Sequence, residues 1–165
     1  MAGAITGYIQ VGSFVGECTD SEHVNWTRIQ KMIARTARTT GGFQQSQVGL
    51  GGTTVGQVTV LKEIDAASVK IQYACATGQS ISTVTIDLCT LVSGESVTFL
   101  SYTLSNAVVT EYELELDSES QRAVPCEKLT FTYTQATWAY TKYNNMGVSQ
   151  GQISESYSIG QSSSS

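Results

Sequence analysis

VTVLKEIDAASVKIQYACATGQSISTVTIDLCT, residues 58–90, changes its periodicity twice. VTVLK, 58–62, alternates β-branched and other residues and reads as a short strand. AASVKIQYACAT, 66–77, reads as a helix, with Asp65 as its N-cap and Gly78 at C′. Ile64 and Val69 are placed to form a hydrophobic staple across that N-terminus. In ISTVTIDLCT, 81–90, the period returns to two: Val84, Ile86 and Leu88 share one face, and Thr83, Thr85 and Asp87 share the other. A single helix is thus enclosed by strands.

The flanks extend this pattern. AITGYIQV, 4–11, makes a first strand. Ser93-Gly94 turns the chain into SVTFLSYTL, 96–104, which is followed by AVVTEYELEL, 107–116, and by a polar loop over 117–126. LTFTYTQATWAYTKY, 129–143, reads as one long strand with Leu129, Phe131 and Tyr133 inward. WTRIQKMIARTAR, 26–38, is ambiguous. Trp26, Ile29, Ile33 and Ala37 lie near helical spacing and alternate poorly as a strand, so pattern alone favours a short helix. Residues 39–57 hold six glycines and no charge, the mark of a long loop or loosely held β-arm, and Phe43, Val48 and Leu50 give it something to dock with. The serine tail, 161–165, cannot build a core and is expected to be disordered, leaving one domain over 1–160. One helix among antiparallel strands with short connections predicts a mainly β protein, an antiparallel β-barrel with one flanking α-helix and an extended glycine-rich loop.

Composition narrows the function. The chain has 165 residues, of which 14% are charged, and a net charge of −5, which argues against a nucleic-acid partner. MAGAITGYIQVGSF at the N-terminus lacks the basic and apolar regions of a secretory signal. No run approaches the roughly 18 to 20 apolar residues of a membrane anchor. The four cysteines, 18, 75, 89 and 126, form no CxxC knuckle; the thiols read as reduced, with Cys75 and Cys89 in the core.

The densest polar stretch is GECTDSEH, 16–23, with Cys18, Asp20, Glu22 and the single histidine, His23. A zinc site needs three or four converging ligands, and no second Cys/His cluster completes one. No G-x-S-x-G elbow and no GxxxxGK[ST] loop is present, and GLGGTT, 49–54, lacks the last glycine of GxGxxG. The stretch reads as a structural polar turn without metal or cofactor; that the chain is a non-enzyme is what the family resemblance described below implies. Asn25-Trp26-Thr27 matches a glycosylation sequon, a match common by chance.

Charge is more telling. Arg28, Lys31, Arg35 and Arg38 are four of the nine basic residues, while Glu111, Glu113, Glu115, Asp117 and Glu119 are five of the 14 acids. On a strand the glutamates form a stripe, with neighbours about 6.5 to 7 Å apart that repel by about 0.6 kcal/mol in water. The stripe is either a solvated face or one pole of a self-complementary surface.

Gly16-Glu17-Cys18-Thr19-Asp20 followed by His23 resembles the G-E-S-x-D-x-x-H turn of the haemolysin-coregulated proteins (Hcp), with Cys18 where serine is usual. The resemblance continues through the glycine-rich arm, the 58–79 strand-to-helix segment, STVTIDLCT and LTFTYTQATWAY, in the family's order and spacing. It implies a barrel related to phage tail-tube proteins and makes residues 26–38 a strand rather than a helix. It further implies hexameric rings stacked into a hollow tube inside a contractile sheath, capped by a VgrG-like spike, with effector cargo in the lumen. Such a subunit is assembled in the bacterial cytoplasm and secreted without a signal peptide. The resemblance assigns the arm residues Gly41, Gly42, Phe43, Val48, Gly49, Leu50, Gly51 and Gly52 to a subunit or ring interface. Arg28, Lys31, Arg35 and Arg38 with Glu111, Glu113 and Glu115 are candidates for a charged stacking surface. The basic 26–38 segment departs from the family's pattern and leaves open a tube protein of a related contractile injection machine. A free β-barrel binding a sugar or small ligand is the competing reading.

Overall fold

The computed structural model describes residues 3–38, 53–119, 121 and 124–159. Eight strands and one helix follow in the order β1 (Thr6–Val11), β2 (Thr27–Arg38), β3 (Thr53–Glu63), α1 (Ser68–Thr77), β4 (Ser80–Val92), β5 (Glu95–Glu115), β6 (Cys126–Thr132), β7 (Gln135–Tyr143) and β8 (Ser149–Ser158). Every strand pair is antiparallel. The neighbours run β4-β1-β2-β3-β6-β5-β7-β8, and β4 also pairs with β5. That last pairing closes β1-β2-β3-β6-β5-β4 into a ring of strands, and β7 and β8 extend from it as a hairpin.

The interior of the ring is filled from the period-two faces. Ile9, Val58, Val60, Val84, Ile86, Leu104, Leu129 and Phe131 are all at most 1% exposed. Removing such side chains from water stabilises the fold by about 1.5–3 kcal/mol each. Helix α1 adds Ile71 and Ala74 to this core.

Residues 26–38 form a strand, because β2 gains a ladder to β3 that no local helical spacing can match. The runs 96–104 and 107–116 are one strand, not two. β5 bends at Asn106, whose φ of 49° turns the chain without ending the ladder. Conversely, 129–143 is two strands broken at Tyr133–Thr134, opposite that bend. There Thr134 N–H donates to the Ser105 carbonyl at 3.1 Å and Asn106 Nδ2 donates to Thr134 Oγ1 at 3.2 Å. Both expectations missed the same corner, where the β5–β6/β7 ladder folds from one wall into the next. β8 had no sequence signal: it is exposed along nearly its whole length and carries Ser, Gln and Glu where a buried strand would alternate.

The helix begins at Ser68, two residues later than expected, with Ala67 at its N-cap. Asp65 instead caps the preceding turn, its Oδ1 accepting from Ala67 N–H at 3.0 Å. The staple does not form, since Val69 is 76% exposed. Gly78 closes the helix in the left-handed region at φ 67°, with the Gln79 N–H donating to the Ala74 carbonyl. Cys89 is buried and Cys75 packs at the edge of the core; all four cysteines are free thiols.

Candidate functional site

His23 is the centre of the 16–26 loop. The loop doubles back on itself: Gly16 N–H donates to the Asn25 carbonyl at 2.7 Å and Cys18 N–H to the Trp26 carbonyl at 2.9 Å. A side chain on Gly16 would put its Cβ 2.4 Å from the Trp26 oxygen, so only glycine fits. The His23 ring is 2% exposed. It stacks on Tyr8 at 4.2 Å between centroids and meets Trp26 edge-on at 4.8 Å. Nδ1 lies 3.1 Å from Asp20 Oδ1 and Nε2 lies 3.0 Å from Asp87 Oδ2. Ser101 Oγ donates to the other Asp87 oxygen at 2.6 Å. The hydrogen bond from His23, helped by the Glu22 N–H, holds the Asp20 carboxyl below the usual carboxylate range. Asp20 accepts from the Glu22 N–H at 3.1 Å and lies against His23, whereas Glu17 is exposed. Asp87, distant in sequence, is the partner that the sequence did not single out. Nε2 ties the loop to Asp87 of β4, while Nδ1, the backbone N–H and the carbonyl of the histidine bond within the loop, to Asp20 and Trp26. Among the described residues, no group of three or more His, Cys, Asp or Glu side chains is arranged to hold a metal ion.

A second cluster lies beneath α1 and was not anticipated. Lys62 and Glu127 are fully buried and form an ion pair. Lys62 Nζ also reaches Asp65 Oδ1 at 3.1 Å and Ser68 Oγ at 3.2 Å. Ser68 Oγ donates to Glu127 Oε1 at 2.9 Å, Tyr112 Oη to Glu127 Oε2 at 2.5 Å, and Thr27 Oγ1 to Asp65 Oδ2 at 2.6 Å. Burial, then the hydrogen bond to Glu127, pushes the Tyr112 hydroxyl far above the ordinary phenol range. The cluster ties β2, β3, α1, β6 and β5 together. Its polar atoms are mutually satisfied and enclosed, as a structural network requires. The sequence carried one clue: Lys62 falls in phase with Val58 and Val60.

The exposed chemistry is concentrated at two strand edges. β1 pairs with β2 only over Thr27–Ile29, so from Gln30 to Arg38 one edge of β2 has no strand beside it among the described residues. β4 pairs with β5 only as far as Val108, so 109–115 of β5 present a second such edge. β2 and β5 stand three steps apart in either direction around the closed ring, that is, on opposite sides of it. Lys31, Arg35 and Arg38 are exposed on the first, with Arg28 exposed just before it in the stretch paired with β1; Glu111, Glu113 and Glu115 are exposed on the second. The glutamates face outward because the ladder shifts register between Val109 and Glu111, leaving Tyr112 to point inward. Lys128 on β6 pairs with Glu111 at 3.3 Å. The basic and acidic segments do not meet within one copy: Lys31 aligns through Leu61 and Lys128 to Glu113, with two strands between them. Residues 41, 42, 43 and 48–52 of the glycine arm lie outside the described residues.

These features match a known family. Its model, "Type VI secretion system effector, Hcp", matches residues 8–140. The chain belongs to the Hcp family. A solved structure described as a type six secretion system protein is 26% identical, with 94% of this chain and 96% of that one covered at a TM-score of 0.86. Hcp1 from Salmonella typhimurium is 18% identical, covering 94% and 95% at a TM-score of 0.74. Hcp3 from Pseudomonas aeruginosa is 17% identical, covering 94% and 99% at 0.65. No curated protein matches the chain significantly. Hcp is a secreted tube-protein family, and this chain is a type VI secretion tube subunit. No helix among its described residues is long and apolar enough to cross a membrane.

Proposed function

We propose that this Hcp chain is a non-enzymatic building block that closes into a hexameric ring, and that rings stack into the expelled tube. The observation that carries the reading is the pair of strand edges on opposite sides of the barrel that have no strand beside them among the described residues, one basic and one acidic. A head-to-tail contact between unlike surfaces generates a ring when its rotation closes. An unpaired strand edge is a template for another chain, and β-addition supplies main-chain hydrogen bonds while side-chain charge sets register. Each exposed charge pair contributes only about 0.2–1 kcal/mol, but a ring repeats it at every boundary.

The glycine-rich segment, Gly41–Gly52, follows β2 and has apolar Phe43, Val48 and Leu50 without a charge, which suits it to a contact with a neighbouring subunit or ring. The partners proposed for such a subunit are the contractile sheath and a VgrG-like spike, with the lumen as the place open to effector cargo. Its assembly is placed in the bacterial cytoplasm, followed by export through sheath contraction.

Reversing Glu111, Glu113 and Glu115 to lysine tests the reading. Ring formation, followed by light scattering, is expected to fall at low salt and to be less affected at 1 M, where the Debye length is about 3 Å. Assembly unchanged at both salt concentrations would remove the acidic edge from the interface.

A further inference from the structure

Both ring nitrogens of His23 face carboxylates. Nδ1 meets Asp20 Oδ1 at 3.1 Å within the loop, and Nε2 meets Asp87 Oδ2 at 3.0 Å on β4. Each carboxylate is already engaged as an acceptor. Asp20 Oδ1 also accepts from the Glu22 N–H at 3.1 Å, and Asp87 Oδ1 accepts from Ser101 Oγ at 2.6 Å. A carboxylate only accepts hydrogen bonds, whereas a neutral imidazole carries one N–H and one lone pair. The neutral ring can therefore serve one aspartate and must turn its lone pair on the other. Turning the ring over would bring carbons to both positions. The imidazolium, with two N–H groups, serves both at once.

The surroundings of the ring are acidic. Tyr8 of β1 stacks on it with an interplanar angle of 9°, and Trp26 meets its edge. Cys18 in the loop and Cys89 on β4 are further titratable groups near Tyr8, and Arg28 is a cation that acts on the same phenol. Glu22, His23, Asp87, Ser96, Thr98 and Tyr143 line a depression of about 300 Å³, so the ring lies at the floor of an opening to solvent. Three carboxylates and one guanidinium thus bear on the histidine. Burial works against a charge on it and the two bonded carboxylates work for one. The hydrogen-bond count decides, since only the charged ring leaves no acceptor facing a lone pair.

We propose that His23 is a proton-operated latch on the 16–26 loop: with protons on both nitrogens it fastens the loop to β4, and on giving up one it releases one of its two aspartates. The latch is closed on the acidic side of the ring's titration and opens as pH rises through it. Toward acid it lasts until the Asp20 carboxyl, held below the usual carboxylate range, takes up a proton. Opening reaches beyond the histidine. Glu17, Cys18 and Thr19 of the same loop line a second depression with Thr27 and Arg28 of β2, so a released loop changes the surface beside that strand.

The full-length chain tests this directly, because its single histidine gives one ring signal. With ¹⁵N-labelled histidine, the ring nitrogens are expected to show the paired shifts of an imidazolium at about pH 6, and those of a neutral tautomer once the ring has titrated. Across that same transition, amide exchange at Gly16, Cys18 and Asn25 is expected to rise at least about tenfold, after correction for intrinsic base catalysis and relative to amides of the β3–β6 ladder. Asp87→Asn gives the ring a side-chain amide that can donate to its lone pair, so it is expected to move the titration to lower pH and to blunt the loop's response. A ring that is neutral at about pH 6 in the native chain would overturn the latch. So would loop exchange that does not follow the ring's titration, or a titration unmoved by Asp87→Asn.

Discussion

Replacing Lys62 by Met should cost more than any surface change in this protein. Methionine fills much of the same space, so the perturbation is largely electrostatic. It leaves Glu127 at 0% exposure and Asp65 nearly so, both without the ammonium that now lies against them. Ser68, Tyr112 and Thr27 still donate hydroxyl hydrogens, but no positive charge remains in the cluster. Breaking a buried pair from one side costs about 3–5 kcal/mol. For a domain of this size each kcal/mol moves Tm by about 2–4 °C, so a fall of about 6–20 °C is expected. Replacing both partners, Lys62→Met with Glu127→Leu, should recover much of the loss, since a buried pair exchanged for apolar groups is often near neutral. The assay is urea and thermal unfolding at one fixed protomer concentration, because assembly itself adds apparent stability. A loss below about 1 kcal/mol for Lys62→Met, or a double variant no better than the single, would refute the claim that the ion pair organises the site beneath α1.

Tyr112→Phe removes the donor to Glu127 Oε2 and should cost about 1.5–3 kcal/mol near neutral pH, measured by the same unfolding curves. The raised Tyr112 pKa gives this residue a pH signature. Its contribution is fully present below the ordinary phenol value of 10.0 and is lost as pH rises above it, so native stability should fall more steeply above pH 10 than that of Tyr112→Phe. His23→Ala should loosen the 16–26 loop, read as faster amide exchange at Gly16, Cys18 and Asn25; elemental analysis of protein purified without added metal should find no stoichiometric zinc. Deleting residues 41–52 should weaken assembly while far-UV circular dichroism still reports the β fold.

The alternating residues of 81–90 and 129–133 disclosed their strands because one face is buried and the other is not. Gly78 disclosed the helix end because a left-handed C′ position has few other occupants. What stayed hidden is what only the folded chain brings together. Asn106 reads as a turn residue, yet the ladder on both sides carries β5 through it. β8 buries nothing, so hydrophobic periodicity had nothing to record. Residues 26–38 look helical by spacing because the register shifts in the β2–β3 ladder disturb a clean alternation. At the candidate sites, the turn around His23 was visible as a dense polar stretch, but Asp87 comes from 64 residues away. The charged segments were visible as composition, whereas their place on opposite sides of the ring of strands follows only from strand order.

The central claim is that this chain makes a closed ring. Negative-stain electron microscopy of the purified full-length protein at micromolar concentration, with the native mass from light scattering on the same sample, tests it most directly. The account predicts hollow rings with sixfold symmetry and a mass near six times the 17.7 kDa chain. A population of solid monomers or dimers across the micromolar range, at both low and physiological salt, would contradict it.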